Sequence, residues 1–265
     1  MLQDTNVLVK GGGDLASGVV YRLHRAGMKV MVAELPQPTV IRRTVAFAAA
    51  MYEGLMEIEG VVGRRAASLE EASLSLQRGE VAVVADPQAE LTSLWHPDVL
   101  VDATMAKRNL GTKIDDAPIV IGLGPGFEAG VDVHAVIETK RGHHLGTVIL
   151  EGSAARDTGI PGEIMGYTVE RVLRAPTEGI FRAERKIGDQ VQTGDVVARV
   201  NDSAVVAAVS GVVRGLLADG LVATDGMKVG DVDPRGIKEH CFTISDKARA
   251  VGGGVLEAIL YLGQM

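Results

Sequence analysis

A single cysteine, Cys241, stands among 265 residues. That excludes an intramolecular disulfide and any zinc site built from several cysteines. Aromatic residues make up 3% of the chain, so the core must be filled by Val, Ile, Leu, Met and Ala, and no obvious interface hot spot appears. No apolar run approaches the roughly 20 residues needed to cross a bilayer. The first ten residues are too short, and reach glycine too soon, for a secretory leader. The expectation is a cytoplasmic protein without a membrane partner. Acid exceeds base, 34 residues to 27, for a net charge of −7, which argues against nucleic acid as a partner. A Gly-x-Ser-x-Gly elbow, a Walker lysine motif and a His-Glu-x-x-His pair are all missing.

What is abundant is glycine, 33 residues or about one in eight, against an average near ~7%. Such a chain is built for tight turns and close backbone approaches. Residues 6–10, NVLVK, read as a buried strand ended by Gly11-Gly12-Gly13. Leu15, Val19, Leu23 and Ala26 then fall on one helical face, and Gly27 closes that helix. A second strand, KVMVAE, runs over 29–34. Strand, glycine turn, helix and strand open a parallel βαβ unit. Residues 40–59 carry a helical stripe, and 68–76 form a shorter helix candidate. Uniformly apolar runs at 81–85, 99–103 and 119–123 suit strands covered on both faces. Two further strands, 131–139 and 145–150, meet at a turn, and 162–171 is weakly helical.

Short Val-rich strands with Gly-Asp turns fill 173–232. There Gly179, Gly188 and Gly194 recur 32 residues later as Gly211, Gly220 and Gly226. Two copies of one strand-turn-strand unit are expected. Ser245 caps a last helix, to Leu262, interrupted by three glycines. The expected fold is α/β. A Rossmann-like parallel-sheet domain covers 1–150, a small all-β module like a barrel-sandwich hybrid covers 151–235, and a C-terminal helix over 236–265 packs back on the first domain.

The first turn, Gly11-x-Gly13-x-x-Ala16 with Gly12 as a spare glycine, fits the dinucleotide pattern. Glu34, 21 residues after Gly13, stands where a carboxylate would hold a ribose 2′-OH. Asp14 is positioned to cap the helix, yet sets a negative charge where a pyrophosphate would lie. A ribose-phosphate ligand and a purely structural turn both remain open. Asp86 and Asp102 end strands at the ligand edge of an open sheet, or cap the next segment. Thr104, Lys107, Arg108 and Asn109 offer a hydroxyl, two cations and an amide for an anion; a solvated face explains the cations equally well. Gly124 and Gly126 flank a second glycine turn, either ligand-facing or structural. Asp132 and His134 share a strand face, but two ligands make a poor metal site and no metal is expected. Cys241 is expected to be a packing residue.

The blocks VLVKGGGDLASGVVYRLHRAG, ELPQPTVIRRTVAFAAAMYEG, DATMAKRNLGTKIDDAPIVIGLGPGFEAGVDVHAVIETKRGH, EGSAARDTGIPGEIMGYTVERVLRAP and CFTISDKARAVGGGVLEAIL closely resemble a bacterial and archaeal family. These are the YqeB-type accessory proteins of the selenium-dependent molybdenum hydroxylase system, distantly like the XdhC/CoxI proteins. The resemblance implies a maturation role, binding or presenting a phosphate-bearing cofactor of molybdopterin type, or a nucleotide, for a molybdenum hydroxylase client. Two alternatives stand beside it: an NAD-dependent oxidoreductase, and a non-catalytic protein-binding scaffold. No catalytic residue is assigned, the ligand is open between molybdopterin and a dinucleotide such as NAD, and homo-oligomerisation is left open. Residues 175–194 also look like the later half of a biotinyl/lipoyl domain. No lysine occupies the hairpin where a swinging arm would attach, so only the shape is retained.

Overall fold

The computed structural model describes residues 4–264, which divide into two units. One comprises residues up to 38, 46–158 and 244 onward; the other comprises 39–45 and 159–243. Among the described residues no helix is long and apolar enough to cross a membrane.

In the first unit the chain forms β1 (Asn6–Lys10), α1 (Asp14–Arg25), β2 (Lys29–Glu34), α2 (Ala50–Glu53), β3 (Leu55–Ile58) and β4 (Val61–Ala66). It continues through α3 (Leu69–Gln77), β5 (Val81–Ala85), α4 (Leu91–Trp95), β6 (Val99–Asp102), β7 (Ile119–Leu123), β8 (Ala135–Ile137) and β9 (Val148–Ile149). These strands make one nine-stranded sheet in the order β3-β4-β5-β2-β1-β6-β7-β8-β9. The seven strands from β4 to β8 are parallel, while β3 and β9 pair antiparallel at the two edges. The expected all-parallel Rossmann-like sheet is therefore corrected to a large mixed one. Both antiparallel edges come from strands consecutive in the chain, β3–β4 and β8–β9. Glu59 and Gly60, with φ of 48° and 83°, turn β3 into β4, the backbone signature of a primed hairpin turn. The single helix expected over 40–59 is replaced by 3₁₀ turns at Arg43–Val45 and Phe47–Ala49, four-residue α2, and β3.

Alternation along the central strands divides the core. Val7 and Val9 join Val19, Leu23, Val251 and Val255 on one face of the sheet, whereas Leu8 and Met31 join Ala72 and Leu91 on the other. The first face carries α1 and the last helix, α5 in chain order (Asp246–Leu262). Ser245 caps α5 by accepting from Ala248 N–H at 3.2 Å. That helix runs unbroken through Gly252–Gly254 rather than being interrupted there. Its glycines are needed for contact. A Cβ on Gly18 would lie 2.4 Å from Ala248 O, and one on Gly252 would lie 2.5 Å from Gly18 O. The two helix backbones touch with no side chain between them.

The second unit holds β10 (Val172–Arg174), β11 (Gly179–Ala183), β12 (Gln190–Val191), β13 (Val196–Val200), β14 (Ser203–Val206), β15 (Gly211–Leu216), β16 (Val222–Ala223) and β17 (Lys228–Asp233). They form two four-stranded antiparallel sheets, β10-β17-β15-β12 and β14-β13-β11-β16. The expected small barrel-sandwich hybrid is corrected accordingly. The 32-residue period relates β11, β12 and β13 to β15, β16 and β17, strand start to strand start. Pairing is exchanged between the copies: β11 pairs β13 and β16, while β15 pairs β17 and β12. Neither copy completes a sheet alone. Residues 162–171, expected to be helical, hold only a 3₁₀ turn at Val169–Arg171.

A strap of residues 39–45 lies along β15, with Ile41 O accepting from Leu216 N–H at 2.7 Å and Arg43 Nε donating to Leu216 O at 2.8 Å. Beside it a bulge between Val213 and Gly215 re-aims Arg214. The Arg214 guanidinium reaches Asp233 at 3.6 Å, Arg171 reaches Asp231 at 3.5 Å, and Arg235 grips Asp233 through two bonds of 2.9 and 2.6 Å. Burial pushes the Asp233 carboxyl up, but the Arg235 hydrogen bonds and the nearby arginine charges outweigh it and hold the group below its ordinary value.

Helix propensity alone says that Gly18→Ala stabilises α1 by about 1 kcal/mol. The contact with Ala248 reverses that sign. We expect Gly18→Ala to destabilise the chain by about 1–3 kcal/mol through overpacking, read as a lower urea midpoint; an unchanged or higher midpoint would contradict the tight α1–α5 contact.

Candidate functional site

The parallel strands change direction of travel between β1 and β6: β1 leads through α1 to β2 on one side, and β6 leads to β7 on the other. Such a switch point opens a crevice at the strands' carboxyl ends. Lys10 ends β1 there and Asp102 ends β6, paired in register. Asp102 is wholly buried and saturated with donors. It accepts from Thr104 N–H at 3.1 Å, Thr104 Oγ1 at 2.7 Å and Thr112 Oγ1 at 2.6 Å, and its carboxylate lies 3.6 Å from Lys10 Nζ. Lys10 Nζ also donates to Thr112 Oγ1 at 2.6 Å. The lysine side chain is 14% exposed and Asp102 not at all, while Thr104 is exposed, so the network runs from solvent into the sheet edge.

Three loops converge on this point. Gly11 lies against the backbone of Ala103 and Thr104, and Gly126 lies against the backbone of Lys107 and Arg108. Gly124 N–H donates to Ile137 O at 2.9 Å, and its open α-carbon faces the Thr139 side chain. Met105 and Lys107 hold φ of 57° and 63°, a conformation that costs non-glycine residues free energy and is often kept at ligand-facing loops. Thr104, Lys107, Arg108, Gly124 and Gly126 are thus brought together with Gly11.

Not every candidate faces a ligand. Asn109 is engaged within its own loop, donating to Thr112 O and accepting from Gly111 and Thr112 N–H, each at 2.8 Å. Lys107 pairs with Asp157 at 2.6 Å, while Arg108 is exposed. The first glycine turn is filled from within. Gly12 N–H donates to Glu34 Oε2 at 2.7 Å, Gly12 O accepts from Ala48 N–H at 2.9 Å, and a Cβ on Gly12 would meet Ala48 at 2.9 Å. The second Glu34 oxygen accepts from Leu35 N–H at 2.7 Å. Gly13, not Asp14, is the N-cap residue of α1, without a side-chain cap; Asp14 is the helix's first residue.

Other expected groups have structural employment. Asp86 accepts from Glu90 and Leu91 N–H at the start of α4, His134 Nδ1 accepts from Val120 N–H, Asp132 accepts from Glu128 N–H, and Cys241 is buried. Among the described residues no group of three or more His, Cys, Asp or Glu side chains is arranged for a metal. A wide-mouthed depression of about 460 Å³ lies by Asp98, just ahead of β6, and includes Asp115 and Asp116. Asp98 and Asp116 there accept from backbone N–H groups. Lys10 and Thr112 escaped the sequence analysis. The available signal was a lysine closing an apolar strand opposite an aspartate closing another.

A second lysine stands at the same edge of the sheet. Lys247 lies in the first turn of α5 and is half-buried. Burial and the Arg141 charge lower its affinity for a proton, outweighing the opposite effect of Asp14, Glu138 and Asp246. Asp246 is gripped by Arg141 through bonds of 2.7 and 2.9 Å, and Glu138 accepts from Lys140 and Ala155 N–H at 2.7 and 2.8 Å.

No protein-family model matches the chain. The protein YqeB of Escherichia coli (strain K12), itself uncharacterized, is 53% identical over 256 residues. The chain is a homologue of YqeB. The match takes in 97% of this chain and 47% of that protein, so the chain spans about half the length of the curated relative it matches. Among solved structures, product-bound and apo forms of the ectoine utilization protein EutE (DoeB) from Ruegeria pomeroyi are 12% and 16% identical. They cover 85% and 86% of this chain against 56% and 87% of theirs, at TM-scores of 0.25 and 0.27. A succinylglutamate desuccinylase/aspartoacylase from Rhodobacter sphaeroides is 15% identical, covering 86% of this chain and 84% of that one at a TM-score of 0.26. At those scores no fold or activity is taken from them.

The expected maturation role in a selenium-dependent molybdenum hydroxylase system, with Rossmann-type nucleotide binding, is corrected by these findings. The homologue's name carries no such role. Physically, Glu34 and Ala48 occupy the turn on which a pyrophosphate was to sit.

Asp102→Ala removes the acceptor that Lys10, Thr104 and Thr112 share, and should cost about 3–5 kcal/mol in chemical denaturation; a loss below about 1 kcal/mol would show the network to be dispensable. For Lys247 the folded chain binds its proton less readily than the unfolded chain, so stability rises with pH as the folded group titrates below the ordinary value of 10.5. The stability of the native chain relative to Lys247→Met should therefore increase as alkaline pH is approached, measured by urea melts across pH; a flat difference would contradict it.

Proposed function

We propose that the first unit binds a small carboxylate-bearing metabolite at the carboxyl ends of β1, β6 and β7. The observation that carries this reading is the Lys10 ammonium, held at the switch point by buried Asp102 and Thr112 on a side chain that keeps 14% of its surface exposed. Arg108 supplies an exposed cation on the loop after β6, and the Gly126 α-carbon packs against the backbone of Lys107 and Arg108, drawing the second glycine turn against that loop. A carboxylate matches such a set: it accepts from an ammonium and a guanidinium through charge-assisted bonds. A larger pyrophosphate would need the Gly11–Gly13 turn, which Glu34 closes. The strained loop at Met105 and Lys107 supports a ligand-facing role for residues 104–108.

The test is a thermal-shift panel on the full chain with succinate, malate, citrate and 2-oxoglutarate. At a hundredfold excess over its dissociation constant a ligand adds about 2.7 kcal/mol, so one of these should raise the melting temperature by several degrees. The gain should vanish in Lys10→Gln and shrink in Arg108→Ala. No shift with any of the four, or equal shifts in both variants, would sink the reading.

A further inference from the structure

The hydrogen bonds at the switch point have a direction, because each hydroxyl holds a single proton. A threonine hydroxyl donates once and accepts through two lone pairs, an ammonium only donates, and a carboxylate only accepts. Lys10 Nζ donates to Thr112 Oγ1 at 2.6 Å, and Thr112 Oγ1 donates to Asp102 Oδ2 at 2.6 Å. On the other side of the same carboxylate, Thr104 Oγ1 donates to Asp102 Oδ1 at 2.7 Å. Protons thus point inward from both ends, toward the wholly buried Asp102.

The two ends are left with opposite character. Thr112 is buried, and its oxygen already accepts from Lys10. Thr104 is exposed, and among the described residues no protein group donates to its hydroxyl oxygen. With its one proton committed to Asp102, that oxygen meets a ligand as an acceptor only. Lys10 presents the reverse: its side chain is 14% exposed, and its ammonium can only donate. The ends lie on neighbouring segments. Lys10 pairs in register with Asp102, and the bare α-carbon of Gly11 sits against the backbone of Ala103 and Thr104. A cationic donor, 3.6 Å from Asp102 Oδ2, and a neutral acceptor on Oδ1 therefore flank one carboxylate.

We propose that this crevice selects 2-hydroxy acids, with Thr104 as the residue that reads the hydroxyl group. The assignment rests on the carboxylate-binding reading above and narrows it. The ligand's carboxylate accepts from Lys10, and its hydroxyl, on the adjacent carbon, donates to Thr104 Oγ1. A deoxy acid displaces water from Thr104 and offers no donor in return. An oxo acid does worse, because its carbonyl oxygen sets one acceptor against another.

The test compares glutarate, 2-oxoglutarate and both enantiomers of 2-hydroxyglutarate by isothermal titration calorimetry on the full chain. These acids differ at one carbon. A single hydrogen bond changes affinity by roughly two- to tenfold. The better hydroxy enantiomer should therefore bind at least about threefold tighter than glutarate, and 2-oxoglutarate no tighter than glutarate. Thr104→Val removes the acceptor and should bring the hydroxy acid down to the glutarate value. Thr104→Ser keeps the hydroxyl and should keep the preference. Circular dichroism of both variants separates loss of the acceptor from loss of the fold. Should Thr104→Val fail to fold, the ratio of the acids on the native chain still decides. Equal binding of the hydroxy and deoxy acids, tighter binding of 2-oxoglutarate, or a preference that survives in Thr104→Val overturns the assignment and leaves the carboxylate reading in place. Absence of binding by all of these acids overturns it as well, and the thermal-shift panel then shows whether the carboxylate reading falls with it.

Discussion

The arrangement of the first unit depends on one contact, the bare backbone crossing of α1 and α5 at Gly18, Ala248 and Gly252. Helices usually stand 8–10 Å apart, separated by their side chains. Here glycine on both sides removes that spacer, which lets two helices share one face of a nine-stranded sheet. The cost is real, because glycine inside a helix loses more freedom on folding than alanine. It is offset by the burial of Val19, Leu23, Val251 and Val255 in a single apolar cluster with Val7 and Val9.

Beneath those helices, the switch point is organised by an acid that has no water to solvate it. An isolated buried carboxylate is expensive, and is tolerated only when donors and a countercharge replace its hydration. Asp102 meets both conditions through Thr104, Thr112 and Lys10. The donors arrive from the loop after β6, so satisfying Asp102 also fixes that loop over the sheet edge. Its positive-φ residues, Met105 and Lys107, lie between the two threonines that make these bonds. A network of this kind positions backbone first and offers chemistry second. Thr104 and Lys10, at its margin, keep access to solvent.

The parts of the fold that were legible in the sequence are those governed by neighbours in the chain. The strand at 6–10, the helix after it and the strand at 29–34 follow from apolar spacing and a glycine turn, and so do the β5, β6 and β7 runs. Choices made by distant partners could not be read. Residues 40–59 have a helical stripe, yet 39–45 are bonded along β15 through Ile41 and Arg43, and Leu55–Ile58 is captured by β4. The 32-residue period was visible, but not that each copy lends its middle strand to the other. Site residues divide in the same way. Thr104, Arg108 and Gly126 stand where strand-end logic put them, whereas Glu34 turned inward because Gly12 N–H, left without a strand partner, takes its carboxylate.

That inward turn of Glu34 illustrates how a phosphate-like motif can be written in sequence and closed in three dimensions. The glycine pattern specifies a tight turn and a close approach, not the identity of the approaching group. Here that group is the chain itself, the Ala48 backbone on one side and a carboxylate on the other. A carboxylate accepting from the Gly12 N–H occupies the hydrogen bond a phosphate oxygen would make, with the same charge sign and a shorter reach. Closing the β1–β2 side leaves the β1–β6 side as the open part of the edge, where the exposed groups are cationic instead of acidic. On the proposed reading, Glu34 keeps large anions out of the glycine turn and leaves the Lys10 side of the edge for small ones.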